Sequence, residues 1–196
     1  MHQLMTKQES HVIISDPREY QSELFERAKH ENIVAVLDTG MKQSQLMMSL
    51  TNDHIGTGKT LIAVLLLRYI LDQELENRAA GKIPKLAFFL VDKVTLVHQQ
   101  WAVLHCNLDH EIQNLYGAKG CDLWAKEIWL DYFKENMAFV CTAEILYKCL
   151  RHAYITMEDI NLIIFDEAHH SKKNHSYARY VSSISALVTT NAIKEL

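Results

Sequence analysis

At 196 residues with 48% hydrophobic side chains, the chain has the length of one domain and enough apolar material for a real core. A formal net charge of -4 excludes a generally basic nucleic-acid binder, while a local groove of Lys and Arg could still hold a phosphate backbone. No apolar run is long enough for a membrane span, and the four cysteines, Cys106, Cys121, Cys141 and Cys149, form no C-x-x-C pair, so they read as reduced thiols of an intracellular protein.

Met1 to Ser15 is polar apart from Val12-Ile13-Ile14, lacks the apolar core of a secretion signal, and reads as a flexible tail. Leu24, Phe25 and Ala28 then share a helical face, with Asp16 as the expected N-cap and Pro17 at the first helical position. Ile33 to Leu37 is short, β-branched and free of polar residues, the pattern of a strand buried on both faces. A helix is predicted over Leu61 to Glu76, ended by Gly81 and Pro84.

From there the rhythm is strand and helix in turn. Strands are predicted at Leu86–Val91, Glu111–Tyr116, Met137–Cys141 and Ile160–Phe165, with helices at Val94–Leu104, Asp122–Glu135 and Ala143–His152. Trp101, Trp124 and Trp129 fall on these helices, where packing is their default role. Such alternation calls for an α/β fold with a parallel sheet covered by helices on both faces. Ligands of such folds bind at the carboxyl ends of the strands.

Two motifs carry chemistry. Leu37-Asp38-Thr39-Gly40 closes the first apolar run and Gly56-Thr57-Gly58-Lys59-Thr60 opens the long helix, with Met41 to Ile55 between them. Removing Met41 to Gly56 joins Thr39-Gly40 to Thr57-Gly58-Lys59-Thr60, a Walker A phosphate loop. In such a loop, backbone N–H groups and the helix dipole hold phosphate, Lys59 reaches the β- and γ-phosphates of ATP, and the Thr60 hydroxyl sits on Mg²⁺. The second motif is Asp166-Glu167-Ala168-His169 after the apolar strand. Asp166 at a strand end can hold Mg²⁺ through water, and Glu167 can orient an attacking water as general base.

Each motif alone has a blander reading. Gly56 to Thr60 fits a glycine turn capping a helix, and the acidic pair fits a solvated loop, but their order along one chain favours the nucleotide site. His169, His170 and His175 lack a cysteine or carboxylate at a convincing spacing, which argues against zinc. Lys172 and Lys173 read as exposed loop charges.

These residues resemble the amino-terminal helicase domain of Dicer, and most closely that of the Dicer-like proteins of filamentous fungi. The resemblance runs from about Asp16 to about Tyr180, excluding Met41 to Gly56. Pro17-Arg18-Glu19-Tyr20-Gln21 is similar to the adenine-reading Q motif, with Gln21 at the base-recognising position. Leu90 to Gln100 resembles motif Ia, which approaches the RNA backbone, and Thr142-Ala143-Glu144-Ile145-Leu146 resembles motif Ib. Asp166-Glu167-Ala168-His169 is similar to motif II, often with Cys where this chain has Ala168.

What the resemblance implies is a RecA-like P-loop domain over residues 16–180, incomplete at its C-terminus, with an insertion at 41–56 and a divergent segment at 181–196. It further implies ATP and Mg²⁺ as cofactors, held by Gln21, Thr39, Gly40, Gly56, Thr57, Gly58, Lys59 and Thr60, with Thr60 and Asp166 on the metal. Double-stranded RNA would be contacted through Thr95, Gln99 and Thr142. The parent would use ATP to move on or rearrange RNA, and would cut it with ribonuclease III domains in RNA silencing and antiviral defence.

Three departures qualify this. The insertion separates the halves of the phosphate loop and carries no turn chemistry of its own, as a retained intron would. Val181 to Leu196 departs from the family before its motif III. A second RecA-like domain, whose arginines stabilise the transferring phosphoryl group, is absent, and such an arginine is worth ~10³ or more in rate. The competing expectation is therefore a truncated or mis-spliced product without catalysis, at most a weak RNA-binding module. A helicase acting on another RNA or in innate sensing shares every motif of the first reading.

Overall fold

A computed structural model describes residues 17–31, 59–121, 124–166, 179–180, 182–184 and 186. Its elements, in order, are α1 (Glu19–Ala28), α2 (Lys59–Ala79), β1 (Leu86–Val91), α3 (Val94–Asn107), β2 (Ile112–Leu115), α4 (Lys126–Glu135), β3 (Ala138–Thr142), α5 (Ala143–Arg151) and β4 (Ile160–Phe165). The expected strand at Ile33 to Leu37, the insertion at 41–56 and His169, His170 and His175 lie outside the described residues.

Among the described residues the strands pair in parallel, in the order β2-β3-β1-β4. β1 is central, and every one of its residues is buried, which is what a continuous apolar run without alternation demands. Successive side chains leave a strand on opposite faces. Ala87, Phe89 and Val91 meet Ala63, Val64, Leu67 and Leu71 of α2 and Val97 and Leu104 of α3 on one face. Leu86, Phe88 and Leu90 meet Trp129 and Phe133 of α4 and Ile145, Leu146 and Cys149 of α5 on the other. Ile184 is fully buried in this second layer, and Tyr180 packs against Tyr147 with ring centroids 5.2 Å apart.

The aromatic content concentrates on that second face. Phe139 stacks on Phe88 at 5.3 Å and receives the edge of Phe133 at 5.4 Å, favourable offset and edge-on arrangements for quadrupolar rings. Cys121, Cys141 and Cys149 are buried in the same layer. Burial pushes the Cys149 thiol up to about 12 and the Cys141 thiol well above its ordinary value. Thiolate is the reactive form, so alkylation of the folded chain near neutral pH is expected to modify half-buried Cys106 well before the other three. Mass spectrometry of a timed iodoacetamide reaction checks this, and early modification of Cys141 would contradict the packing.

Several boundaries move. The first helix starts at Glu19 rather than after an Asp16 cap, because Gln21 at its third position turns back and its Oε1 accepts a 2.7 Å hydrogen bond from the Arg18 N–H. The helix predicted from Asp122 starts only at Lys126. Trp124 lies before it, packed on Trp129 at 5.0 Å and Tyr132 at 5.1 Å, so tertiary packing holds extended a segment whose composition suits a helix. α2 ends as glycine dictates: Gly81 takes φ +74°, its N–H bonds to Arg78 O, and the Lys82 N–H bonds to Asn77 O, a Schellman closure.

Candidate functional site

The direction of α2 is set by its far end. Glu74, 1% exposed, accepts hydrogen bonds from the Arg78 side chain at 2.8 Å and from the Lys85 N–H at 2.8 Å, just before β1. Arg78 in turn donates to the carbonyls of Lys134 and Asn136, just before β3. The C-terminal third of α2 is therefore pinned at the amino ends of the strands. Fifteen residues separate Glu74 from Lys59, roughly 22 Å of helix, while the six residues of β4 span about 20 Å. The N-terminus of α2 thus comes level with the carboxyl ends of the strands.

Asp166 stands at that same edge. It follows the last residue of β4, and its N–H donates to the carbonyl of Leu90 on β1 at 2.9 Å, so its backbone is fixed by the sheet. Its carboxylate Oδ2 accepts a 3.1 Å hydrogen bond from Gln100 Nε2 on α3. Thr60, half-buried in the first turn of α2, belongs to this edge through the helix that carries it. The first turn of α2 contains no acidic residue to offset the positive end of the helix dipole. Among the described residues no group of three or more His, Cys, Asp or Glu comes together. Such a closed cage suits other metals, whereas Mg²⁺ is commonly held by one or two protein oxygens with substrate phosphates completing the shell. Thr60 and Asp166 fit that requirement.

The other expected site residues fall as follows. Gln21 is only 4% exposed, and its carbonyl oxygen is engaged with the Arg18 N–H. Its helix packs on α2, with Phe25 edge-on to Tyr69 at 6.1 Å and Lys29 Nζ over both rings at 5.0 and 5.3 Å. Thr95 and Gln99 are exposed on α3, and Thr142 ends β3 as the N-cap of α5. Thr39, Gly40, Gly56, Thr57, Gly58 and Glu167 lie outside the described residues, and Lys59 is fixed only as the first residue of α2. Gln100 was not singled out by sequence. The signal was present: it is a polar residue on the buried stripe of Val97 and Leu104, three before it and four after it.

The family described as "Type III restriction enzyme, res subunit" matches residues 14–191. The chain belongs to this family. Among curated proteins it is similar to Dicer-like protein 1 of Aspergillus oryzae, 54% identical over 178 residues that make up 91% of this chain and 11% of that protein. It is similar also to Dicer-like protein 1 of Chaetomium globosum, 52% identical over 92% of this chain and 10% of that one. The chain thus spans about a tenth of the length of the curated relatives it matches. The helicase domain of Pyrococcus furiosus Hef superposes with a TM-score of 0.57 at 26% identity, covering 82% of this chain and 28% of that one. The parallel four-stranded sheet with its flanking helices is the RecA-like helicase fold.

Proposed function

We propose that the chain is the ATP-binding first RecA-like portion, residues 16–180, of a Dicer-like endoribonuclease. In this reading ATP and Mg²⁺ are its cofactors, and it acts on double-stranded RNA in RNA silencing and antiviral defence. The observation that carries the reading is that the helix opening at Lys59 and the Asp166 backbone lie toward the same edge of the sheet, in a chain about half identical to Dicer-like proteins. Bound ATP·Mg²⁺ supplies the phosphoanhydride whose cleavage drives movement on RNA. Lys59 and the backbone N–H groups of Thr39, Gly40, Gly56, Thr57 and Gly58 would hold its phosphates, Thr60 and Asp166 would hold the metal, and Glu167 would orient the water. Gln21 would contact the adenine by giving up its bond to Arg18.

Thr95 and Gln99 on α3, with Thr142 at the end of β3, are the RNA-facing positions. The partners implied are a second helicase domain, which closes the nucleotide cleft, and the ribonuclease III domains of a longer parent. The interruption between Gly40 and Thr57 favours a second reading, a non-catalytic product with weak RNA binding.

Asp166→Asn is the direct test, because the amide keeps the size of the side chain while losing the charge that holds Mg²⁺. Mg²⁺-dependent binding of ATP, measured by calorimetry, is expected to weaken about tenfold or more, the scale of losing a charge-assisted contact at a metal. Unchanged Mg²⁺-dependent affinity would remove Asp166 from the site.

A further inference from the structure

We propose that Gln100 is a positioning residue that fixes the metal-binding carboxylate of Asp166. The proposal deepens the nucleotide reading and rests on it. The Leu90 carbonyl holds the Asp166 backbone, and Gln100 acts on its side chain. The Gln100 amide reaches it across 66 residues of sequence, from the helix after β1 to the loop after β4, and donates to Oδ2 at 3.1 Å.

The cost of this arrangement marks it as purposeful. Gln100 lies on the stripe of α3 that buries Val97 and Leu104, where an apolar side chain would pack without polar penalty. Its other amide atom, Oε1, is buried and accepts no hydrogen bond among the described residues. Flipping the amide would set a carbonyl oxygen against the carboxylate, so Asp166 itself dictates that Nε2 faces it. A buried acceptor left without a partner calls for a reason. The reason is the one group that Gln100 does bond. The same helix exposes Thr95 and Gln99, so the segment expected to face RNA is also the segment that orients the metal carboxylate.

The test uses the 196-residue chain and the same chain with residues 41–56 excised, each with Gln100→Met, which keeps length and volume but cannot donate. A fluorescent ATP analogue is titrated at increasing Mg²⁺ and again in EDTA, with Asp166→Asn in parallel and urea unfolding of every variant. The expected result is that Gln100→Met raises the Mg²⁺ concentration for half-maximal binding about tenfold, the usual scale for an outer-shell partner of a metal ligand. Affinity in EDTA should be unchanged, and the unfolding midpoint equal to or above that of the parent. A purely structural Gln100 would lower the unfolding midpoint or weaken both affinities together, which overturns the proposal. Unchanged Mg²⁺ dependence in Gln100→Met alongside a large shift in Asp166→Asn overturns it too, while leaving the nucleotide site standing. If Asp166→Asn changes nothing, or neither chain binds the analogue, the nucleotide reading fails and takes the proposal with it.

Discussion

Glu74→Ala is expected to lower folding stability by about 3–5 kcal/mol, the cost of breaking a buried ion pair from one side. Against a typical total of about 5–15 kcal/mol, that is enough to leave a large unfolded fraction at physiological temperature. The carboxylate is 1% exposed, pairs with Arg78 at 2.8 Å and accepts the Lys85 N–H at 2.8 Å. Its removal leaves Arg78 partly buried without its counter-charge, and Lys85 with an N–H that must find another acceptor.

Arg78 also donates to the carbonyls of Lys85, Lys134 and Asn136, so the pair ties α2 to the segments entering β1 and β3. For this reason the double replacement Glu74→Leu with Arg78→Leu should recover only part of the loss, although apolar exchange of an isolated buried pair is often neutral. Urea unfolding followed by circular dichroism gives both numbers. A Glu74→Ala variant within about 1 kcal/mol of the parent would place the pair in the class of exposed, weak ion pairs.

Excising residues 41–56 is expected to tighten ATP·Mg²⁺ binding at least about tenfold, which corresponds to ~1.4 kcal/mol. Loop length alone does not supply this, since each doubling of a flexible loop costs only about 0.6 kcal/mol. The larger effect is geometric. A phosphate cradle needs consecutive backbone N–H groups converging on one anion, and each hydrogen bond to a charged group contributes roughly 1.5–3 kcal/mol. Joining Gly40 directly to Thr57 restores that run, so regaining a single such bond meets the prediction. Calorimetric titration of both chains decides it. Equal affinity would mean that the inserted residues leave the cradle usable, and sequencing of the transcript across codons 37 to 60 would show which form is made.

The fold was legible in the sequence where burial is symmetrical. Leu86–Val91 came out residue for residue, because an uninterrupted apolar run of that length has no other place than inside a parallel sheet; Ile160–Phe165 did so too, although Asn161 interrupts its apolar run and its residues are only partly buried. The start of α4 was not legible. Trp124 is held out of the helix by Trp129 and Tyr132, contacts that no local pattern announces. Nor was the role of Glu74, which reads as one more polar residue of a long helix and becomes a staple only through Lys85 and Asn136.

In the candidate site, the place of Asp166 directly after β4 was legible as a carboxylate following a strand. Gln100 was not, because its partner is 66 residues away. Gln21 is named for the site by its resemblance to the Q motif alone, and the bond from the Arg18 N–H to its carbonyl is helix-capping chemistry that any glutamine at that position can supply.

A phosphate site at the start of α2 is the central requirement of ATP binding by this chain. Its most direct test is ATP·Mg²⁺ titration of the chain and of Lys59→Ala, both with and without residues 41–56. The predicted result is that excision strengthens binding and Lys59→Ala abolishes it in either background, with the fold intact by circular dichroism. Binding of equal strength with and without the Lys59 ammonium would contradict the nucleotide site itself.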